Sequence, residues 1–473
     1  MNEKLAQAMD YVGDRHIAQA AVGRRRRRRL LFPLAAAVLA AVLVMHLADM
    51  PQQIRAQAIS LASESRLGER PERRNYEDYA QYAAVFDPWQ QEQMRLSTAA
   101  AEAGELMRPF LQRASVEVLG SASGENRVWS PLNAYIALAM LAETTGGESR
   151  AQILNLLGAD DLETLRGAVS ALWETTYTKD GKEISVLANS LWLDEGLRFR
   201  QQVMDDLAFH HYASVYQGEL SSSQTTKDMT AWVSNATRGF LDDALPTEPM
   251  SEETALVLLS TIYFQSKWVD DFSRSENTQG LFHSPDGDIS CTFMNGEKRQ
   301  MNYYWGDSYG AVSLPLKNDS QVWLILPDED KNVEQVLTEG QYLEMLLTTD
   351  ETEEVCCKYV KVNLSVPKFD VQTQHDLRTS LQALGVTHIF CPDADFSPSL
   401  ESDRPIWVDA VEQTTRVIID EEGVTAGSYI VIPGEGKAAP PEEIIDFVLD
   451  RPFLFAITGG EGQILFSGVV NRP

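Results

Sequence analysis

Residues 417–429 read Val-Ile-Ile-Asp-Glu-Glu-Gly-Val-Thr-Ala-Gly-Ser-Tyr, and the chain continues Ile-Val-Ile-Pro-Gly-Glu-Gly-Lys-Ala-Ala-Pro-Pro-Glu-Glu to residue 443. The stretch begins as a strand and then fails to close a compact turn. Its first half has strand propensity yet small side chains. Its second half is broken by Pro433, Gly434, Gly436, Pro440 and Pro441. A loop this long inside a domain is as a rule functional or disordered. A floppy surface insertion is one reading. The sharper reading is a loop that can join a sheet as an added strand, because alternate residues of a strand share a face. Val424, Ala426, Ser428 and Ile430 form one set, small or apolar and uncharged, so that set can be buried. Thr425, Gly427, Tyr429 and Val431 form the outward set, where the bulk of Tyr429 is tolerable.

Working outward, strands flank this loop. Trp407–Ile419 precedes it, and Val360–Val371 lies further upstream. Phe453–Ile457 and Ile464–Val470 follow it, joined across Thr458-Gly-Gly-Glu-Gly462 as a hairpin. Val322–Leu326 and Val186–Leu193 are also strands. The almost unbroken apolar run Ala255–Phe264 fits a central strand covered on both faces. Ser130-Pro131 starts a helix with a capping hydroxyl and proline at the first position, and Gly146-Gly147 stop it after the buried run Leu132–Ala142. Met229, Trp232, Val233, Ala236 and Phe240 share one face of another helix. Helices early, strands later and no βαβ alternation predict a large α+β domain over residues 98–473.

The chain has 473 residues, a length that admits up to three domains, and 44% of it is apolar. Its net charge is −29, unevenly spread: residues 1–48 hold eight basic and three acidic side chains, which leaves −34 on the rest. So acidic a surface repels phosphate and excludes nucleic acid as a partner. It also makes an anionic cofactor improbable, and no cofactor is expected. Cys291, Cys356, Cys357 and Cys391 contain no CxxC pair and make no disulfide framework. His210-His211 lack a third ligand nearby, so a surface or internally satisfied pair is the better reading and no metal is expected. Neither GxSxG nor HExxH occurs. Ser365-Val-Pro-Lys368 fits S-x-x-K but lies in a predicted strand, so no catalytic residue is assigned.

At the N-terminus, Arg24–Arg29 are six consecutive arginines, and Leu30–Ala48 contains no charged residue. Those 19 residues span about 28 Å as a helix, enough to cross a bilayer. The positive-inside rule puts residues 1–29 in the cytoplasm and the remainder outside, as a single-pass membrane protein. The alternative is a signal peptide cleaved near Ala56-Gln57-Ala58, with the product secreted. Residues 49–97, rich in Gln, Glu, Arg and Ala, read as a linker or stalk.

Several stretches together resemble one family, the serpins, over about residues 100–473. They are Asn126–Met140, Ala188–Leu193, Met229–Leu241, Leu256–Phe272, Leu324–Pro327, Val366–Phe369, Val417–Gly423, Asp450–Phe455 and Ile464–Gly468. Each is weak alone; their order and spacing are specific. The resemblance implies three β-sheets, about nine helices and an exposed reactive-centre loop. It implies a monomer that inhibits a serine protease by suicide: the loop is cut, an acyl-enzyme forms, and the loop inserts into the main sheet before water releases the protease. A non-inhibitory serpin, acting as a binding or chaperone module, is the runner-up.

Carried onto this sequence, the hinge is Glu421, Glu422, Gly423, Val424, Thr425, Ala426, Gly427 and Ser428. Val424 departs from the usual threonine, and Gly427, Ser428 and Tyr429 from an alanine-rich stretch. The family's spacing from Gly423 puts the reactive bond at Lys437–Ala438. Lysine there suits a trypsin-like protease with an acidic pocket; a slip of one residue to Gly436 or Ala438 would suit an elastase-like one. Lys368 matches the partner of Glu421, and Trp268 the tryptophan beneath the loop's entry point, where plain core packing is the bland reading. Where the main sheet opens, Ser130 is kept, and Asn133, Ser260 and Gln413 stand for the family's second serine, asparagine and histidine.

Overall fold

The structure is a computed structural model that describes residues 54–62, 70–120, 124–178, 184–242, 248–347, 356–401, 404–408, 411–424 and 442–473. Chain order begins with β1 (Gln57–Ser60) and the 41-residue helix α1 (Tyr79–Leu119). Then come β2 (Arg127–Trp129), α2 (Pro131–Thr144), α3 (Gly147–Leu157), α4 (Leu162–Thr176) and β3 (Ile184–Asp194). These lead to α5 (Gln201–His210), β4 (Ala213–Gly218), α6 (Ser223–Thr237) and β5 (Leu256–Lys267). The next part holds β6 (Thr278–Ser284), β7 (Gly287–Trp305), β8 (Tyr309–Pro315), β9 (Gln321–Pro327), α7 (Val333–Glu339) and α8 (Gln341–Leu347). The chain closes with β10 (Cys357–Pro367), β11 (Phe369–Asp376), α9 (Arg378–Ala383), β12 (Glu412–Asp420), β13 (Gly423–Val424), β14 (Ile444–Val448), β15 (Phe453–Thr458) and β16 (Ile464–Val470).

The α+β class and the number of helices match expectation, with nine α-helices among the described residues. The main sheet has the order β1-β4-β3-β5-β13-β12-β11. The other strands form one network, β14-β10-β7-β8-β9-β15-β16-β2, with β6 on β7. Among the described residues two hydrogen-bonded networks thus stand where three sheets were expected. The cause is β7, whose 19 residues run unbroken past β6 and β10 to β8 and join what would otherwise be separate sheets. The expected hairpin is present, with Phe453 opposite Val470. The core lies between the layers and includes Trp129, Tyr135, Phe282, Phe453 and Phe455, all fully buried.

Local chemistry fixes α2. Ser130 Oγ accepts from the Asn133 N–H at 3.3 Å, Pro131 opens the helix, and nearly every residue to Thr144 is buried. The helix through Met229 ends sooner than its apolar face suggested, because Arg238 takes a left-handed conformation (φ 53°) and leaves Phe240 beyond it. The run Val360–Val371 is two strands, broken around Pro367-Lys368, and the strand expected from Trp407 begins at Glu412.

One expectation needs correction. Residues 49–97 are not a stalk throughout. β1 is an edge strand of the main sheet, antiparallel to β4, and the Ala56 N–H donates to the buried Asp228 carboxylate at 2.8 Å. Residues 79–97 belong to α1, whose Leu96, Ala100, Ala103, Met107, Phe110 and Leu111 enter the core. The compact body therefore already includes Ile54, the first described residue, rather than starting at residue 98. The strand β5 is packed on both faces, Leu256, Leu258 and Ile262 on one cluster and Val257 and Leu259 on the other, although Leu256 to Ser260 are only half-buried where β5 has no paired neighbour on the β12 side among the described residues. Leu30–Ala48 lies outside the described residues; among those described, no helix is long and apolar enough to cross a membrane.

Candidate functional site

The site begins where β12 ends. After Asp420 the chain turns through Glu421-Glu422 and comes back as β13, antiparallel to β12 (Ile419 opposite Val424) and also to β5 (Val424 opposite Ser266). Gly423 makes this possible. Its φ is +134°, and a Cβ there would lie 2.4 Å from the Ser266 carbonyl oxygen and 2.6 Å from Lys267 Cα. No other residue fits between two strands so close.

The turn is tied down by side chains. The Trp268 indole N–H donates to the Asp420 carbonyl at 2.8 Å, and the Glu422 N–H to Asp420 Oδ1 at 2.8 Å. Trp268 is also core, fully buried and edge-on to Phe272, so both readings of it hold. Glu421, only 4% exposed, accepts from Lys368 Nζ at 3.0 Å and from Asn277 Nδ2. Burial alone would raise its pKa, but the bonds from Lys368 and Asn277 outweigh it and hold the carboxyl down to about 2. Arg274 pairs with Glu422 at 2.7 Å.

Below the hinge, β13 is the only hydrogen-bonded link between β5 and β12 among the described residues. Each strand is instead fastened to the start of α2. On the β12 side, Gln413 Oε1 accepts from the Ser130 N–H (3.0 Å) while its Nε2 donates to the Ser130 carbonyl (2.9 Å). On the β5 side, Asn133 Nδ2 donates to the Ser260 carbonyl at 3.0 Å. Ser260 Oγ sits between Asn133 Oδ1 and Asn189 Oδ1, 2.7 Å from the latter, and has one proton to give. Ser130 Oγ donates to the Leu465 carbonyl at 2.6 Å.

Ser130, Asn133, Ser260 and Gln413 are thus brought together, as are Trp268, Lys368, Glu421 and Gly423. Thr425, Ala426, Gly427, Ser428, Lys437 and Ala438 lie outside the described residues. The sequence reading missed Asn189, Arg274, Asn277 and His375. Asn189 carried a usable signal, a polar residue inside the apolar run of β3, where burial demands a partner. His375 pairs with Gln413 in register and sets its Nε2 3.1 Å from the Val128 carbonyl; burial, with the charge of Arg127, pushes its pKa down to about 4. His210-His211 divide: His211 is fully buried with Nε2 3.3 Å from Glu143, and His210 ends α5. Among the described residues no cluster of three His, Cys, Asp or Glu could hold a metal.

Comparison with known proteins agrees with this geometry. The family model described as "Serpin (serine protease inhibitor)" matches residues 110–473. Putative serpin-Z12 of Oryza sativa subsp. japonica is 28% identical over 384 residues, covering 75% of this chain and 87% of its own. Plasminogen activator inhibitor 1 of Neovison vison is 28% identical over 381 residues, 78% of this chain and 93% of its own. Among solved structures, the native state of the thermophilic serpin tengpin superposes with a TM-score of 0.67 at 26% identity, over 77% of this chain and 94% of its own.

Proposed function

Since this chain belongs to the serpin family, we propose that it is a suicide inhibitor of serine proteases and traps a trypsin-like enzyme through its own loop. One observation carries the reading: among the described residues, β5 and β12 are bridged only by Gly423–Val424, the first two residues of the segment that would have to enter between them. An uncharged inward set, Val424, Ala426, Ser428 and Ile430, supports burial of that segment.

In the proposed reaction the protease's serine attacks the carbonyl of Lys437. The Lys437–Ala438 peptide bond breaks, an ester to the protease forms, and the new amine of Ala438 leaves. The severed strand then extends β13 between β5 and β12, gaining a ladder of hydrogen bonds on both sides. The trapped ester outlasts hydrolysis only if insertion is faster. The chain supplies no nucleophile, base or cofactor to this sequence. Lys437 at the bond favours a protease with an acidic specificity pocket.

The body is proposed to lie outside the cytoplasm, tethered as a monomer through Leu30–Ala48 behind the Arg24–Arg29 flank. The test is a gel of the protein mixed with trypsin. A covalent complex that survives denaturant is expected. A cleanly nicked chain with active trypsin left over would instead mark a non-inhibitory serpin, and a complex with elastase alone would move the cut to Gly436 or Ala438.

A further inference from the structure

Past the left-handed turn at Arg238, the chain leaving α6 brings Phe240 onto the main sheet. The ring is half-buried and belongs with the cluster between α6 and the sheet, as do Val257 and Leu259 of β5. Alternation puts Tyr263 on that same face of β5. On β12, Val417 and Ile419 enter the main core, so Arg416 lies on the α6 side. Phe240 meets both. Its ring centroid is 5.8 Å from that of Tyr263, edge to face, and the Arg416 guanidinium carbon lies over it at 5.2 Å. Each end of this bridge is anchored. Arg416 gives Asp370 of β11 two hydrogen bonds, 2.9 and 2.6 Å long, and Arg238 sits over the Tyr263 ring at 5.9 Å. One ring thus reaches from β5 to β12 at a level where, among the described residues, no backbone ladder joins them.

Register gives that level a meaning. Val424 of β13 stands opposite Ser266 on one side and Ile419 on the other. Counted on in the same register, a strand entering the gap would set residue 427 between Tyr263 and Arg416. Directly opposed residues of antiparallel strands share a face, so a side chain at 427 would point at Phe240. The sequence has glycine there. We propose that Phe240 is a positioning residue for strand insertion, a latch across the gap that lifts for the entering strand and closes again over Gly427. The inference rests on the insertion reading above and deepens it. A bulky residue at 427 would collide with the ring, whereas glycine leaves the latch room to shut. The hold consists of one edge-to-face ring pair and one cation over a ring, both weak contacts, so it delays the strand without barring it.

The test follows insertion itself, apart from any inhibition. The full chain is nicked between Tyr429 and Glu443 by thermolysin, a metalloprotease that forms no acyl-enzyme. Brief heating of timed samples above the intact midpoint then counts the molecules that have become heat-resistant. Phe240→Ala is expected to reach the resistant form several times faster than wild type. Gly427→Leu should reach it about tenfold more slowly, the cost of overpacking beneath the ring. Combining it with Phe240→Ala should remove most of that delay, which a general loss of stability would not do. Should Phe240→Ala fail to fold, Phe240→Leu, which keeps apolar bulk under α6 but offers no ring, serves in both comparisons. Insertion no faster without the ring, or a Gly427→Leu delay that persists without it, overturns the inference while the insertion reading stands. If nicked wild type gains no heat resistance at all, the insertion reading itself fails and the latch falls with it.

Discussion

The indole N–H of Trp268, just past the end of β5, donates at 2.8 Å to the carbonyl of Asp420, the last residue of β12. One side chain thereby ties the end of β5 to the end of β12, strands that are otherwise linked to each other through β13. Trp268→Phe keeps much of the packing on Phe272 but leaves the Asp420 carbonyl without that donor. The expected loss is about 1–3 kcal/mol, read as a lower midpoint in denaturant. The intact variant should also lose inhibitory activity faster on storage, as the loop enters unaided.

The Glu421 carboxyl gives a pH dependence. Its folded pKa, about 2, is below the ordinary carboxylate value of 4.5, so its contribution to stability is complete above about pH 5 and is lost as the pH falls towards 2. Acid should therefore loosen the hinge. In Glu421→Gln the stability measured between pH 5 and 2 should fall less steeply than in the wild type. An identical slope in both would show that Glu421 does not report on this range.

Gly423→Ala places a methyl group against the Ser266 carbonyl in a backbone conformation that side chains rarely adopt. It should cost about 1–3 kcal/mol and expel β13 from between its neighbours. Limited proteolysis should then cut near residues 423–424, which the wild type protects.

Cleavage anywhere between Tyr429 and Glu443 should raise the melting temperature, contrary to the usual effect of a nick. The severed segment gains two strand neighbours once it is free to move. Calorimetry of intact and nicked protein decides this, and an unchanged or lower midpoint counts against insertion.

Ala426→Arg should convert inhibitor to substrate. A guanidinium on the inward face is buried without a partner, and each ~1.4 kcal/mol added to the insertion barrier slows it about tenfold. The loop should still be cut but should release active protease. Lys437→Ala should lose trypsin-like targets and keep the ability to insert. Moles of inhibitor consumed per mole of protease inactivated separates the two, and an unchanged ratio for Ala426→Arg rules insertion out.

Strands and helices were legible wherever local chemistry acts alone, as in Ser130-Pro131 at the start of α2 or the hairpin after Phe453. The turn through Glu421, Gly423 and Val424 was reachable through resemblance, while Ala426, Ser428 and Ile430 lie outside the described residues. The fasteners of that turn were not legible. Asn277 and Arg274 reach Glu421 and Glu422 across separations of 144 and 148 residues, which no local pattern encodes. The true start of the body was hidden for another reason. β1 offers only four residues, and the first turns of α1 bury nothing, so neither segment shows the periodicity that a core imposes.

Because away from β13 and Trp268 the strands β5 and β12 are each pinned to the first turn of α2 and, among the described residues, not to each other, widening the space between them there unzips no ladder. What resists is a handful of discrete side-chain stitches, chiefly Gln413 to Ser130 and Asn133 to Ser260, each of the order of 1 kcal/mol. A resistance made of countable stitches can be tuned one substitution at a time, without touching the core. On the proposed inhibitor reading, the lifetime of the uninserted state would be set by three or four polar residues around a single helix cap.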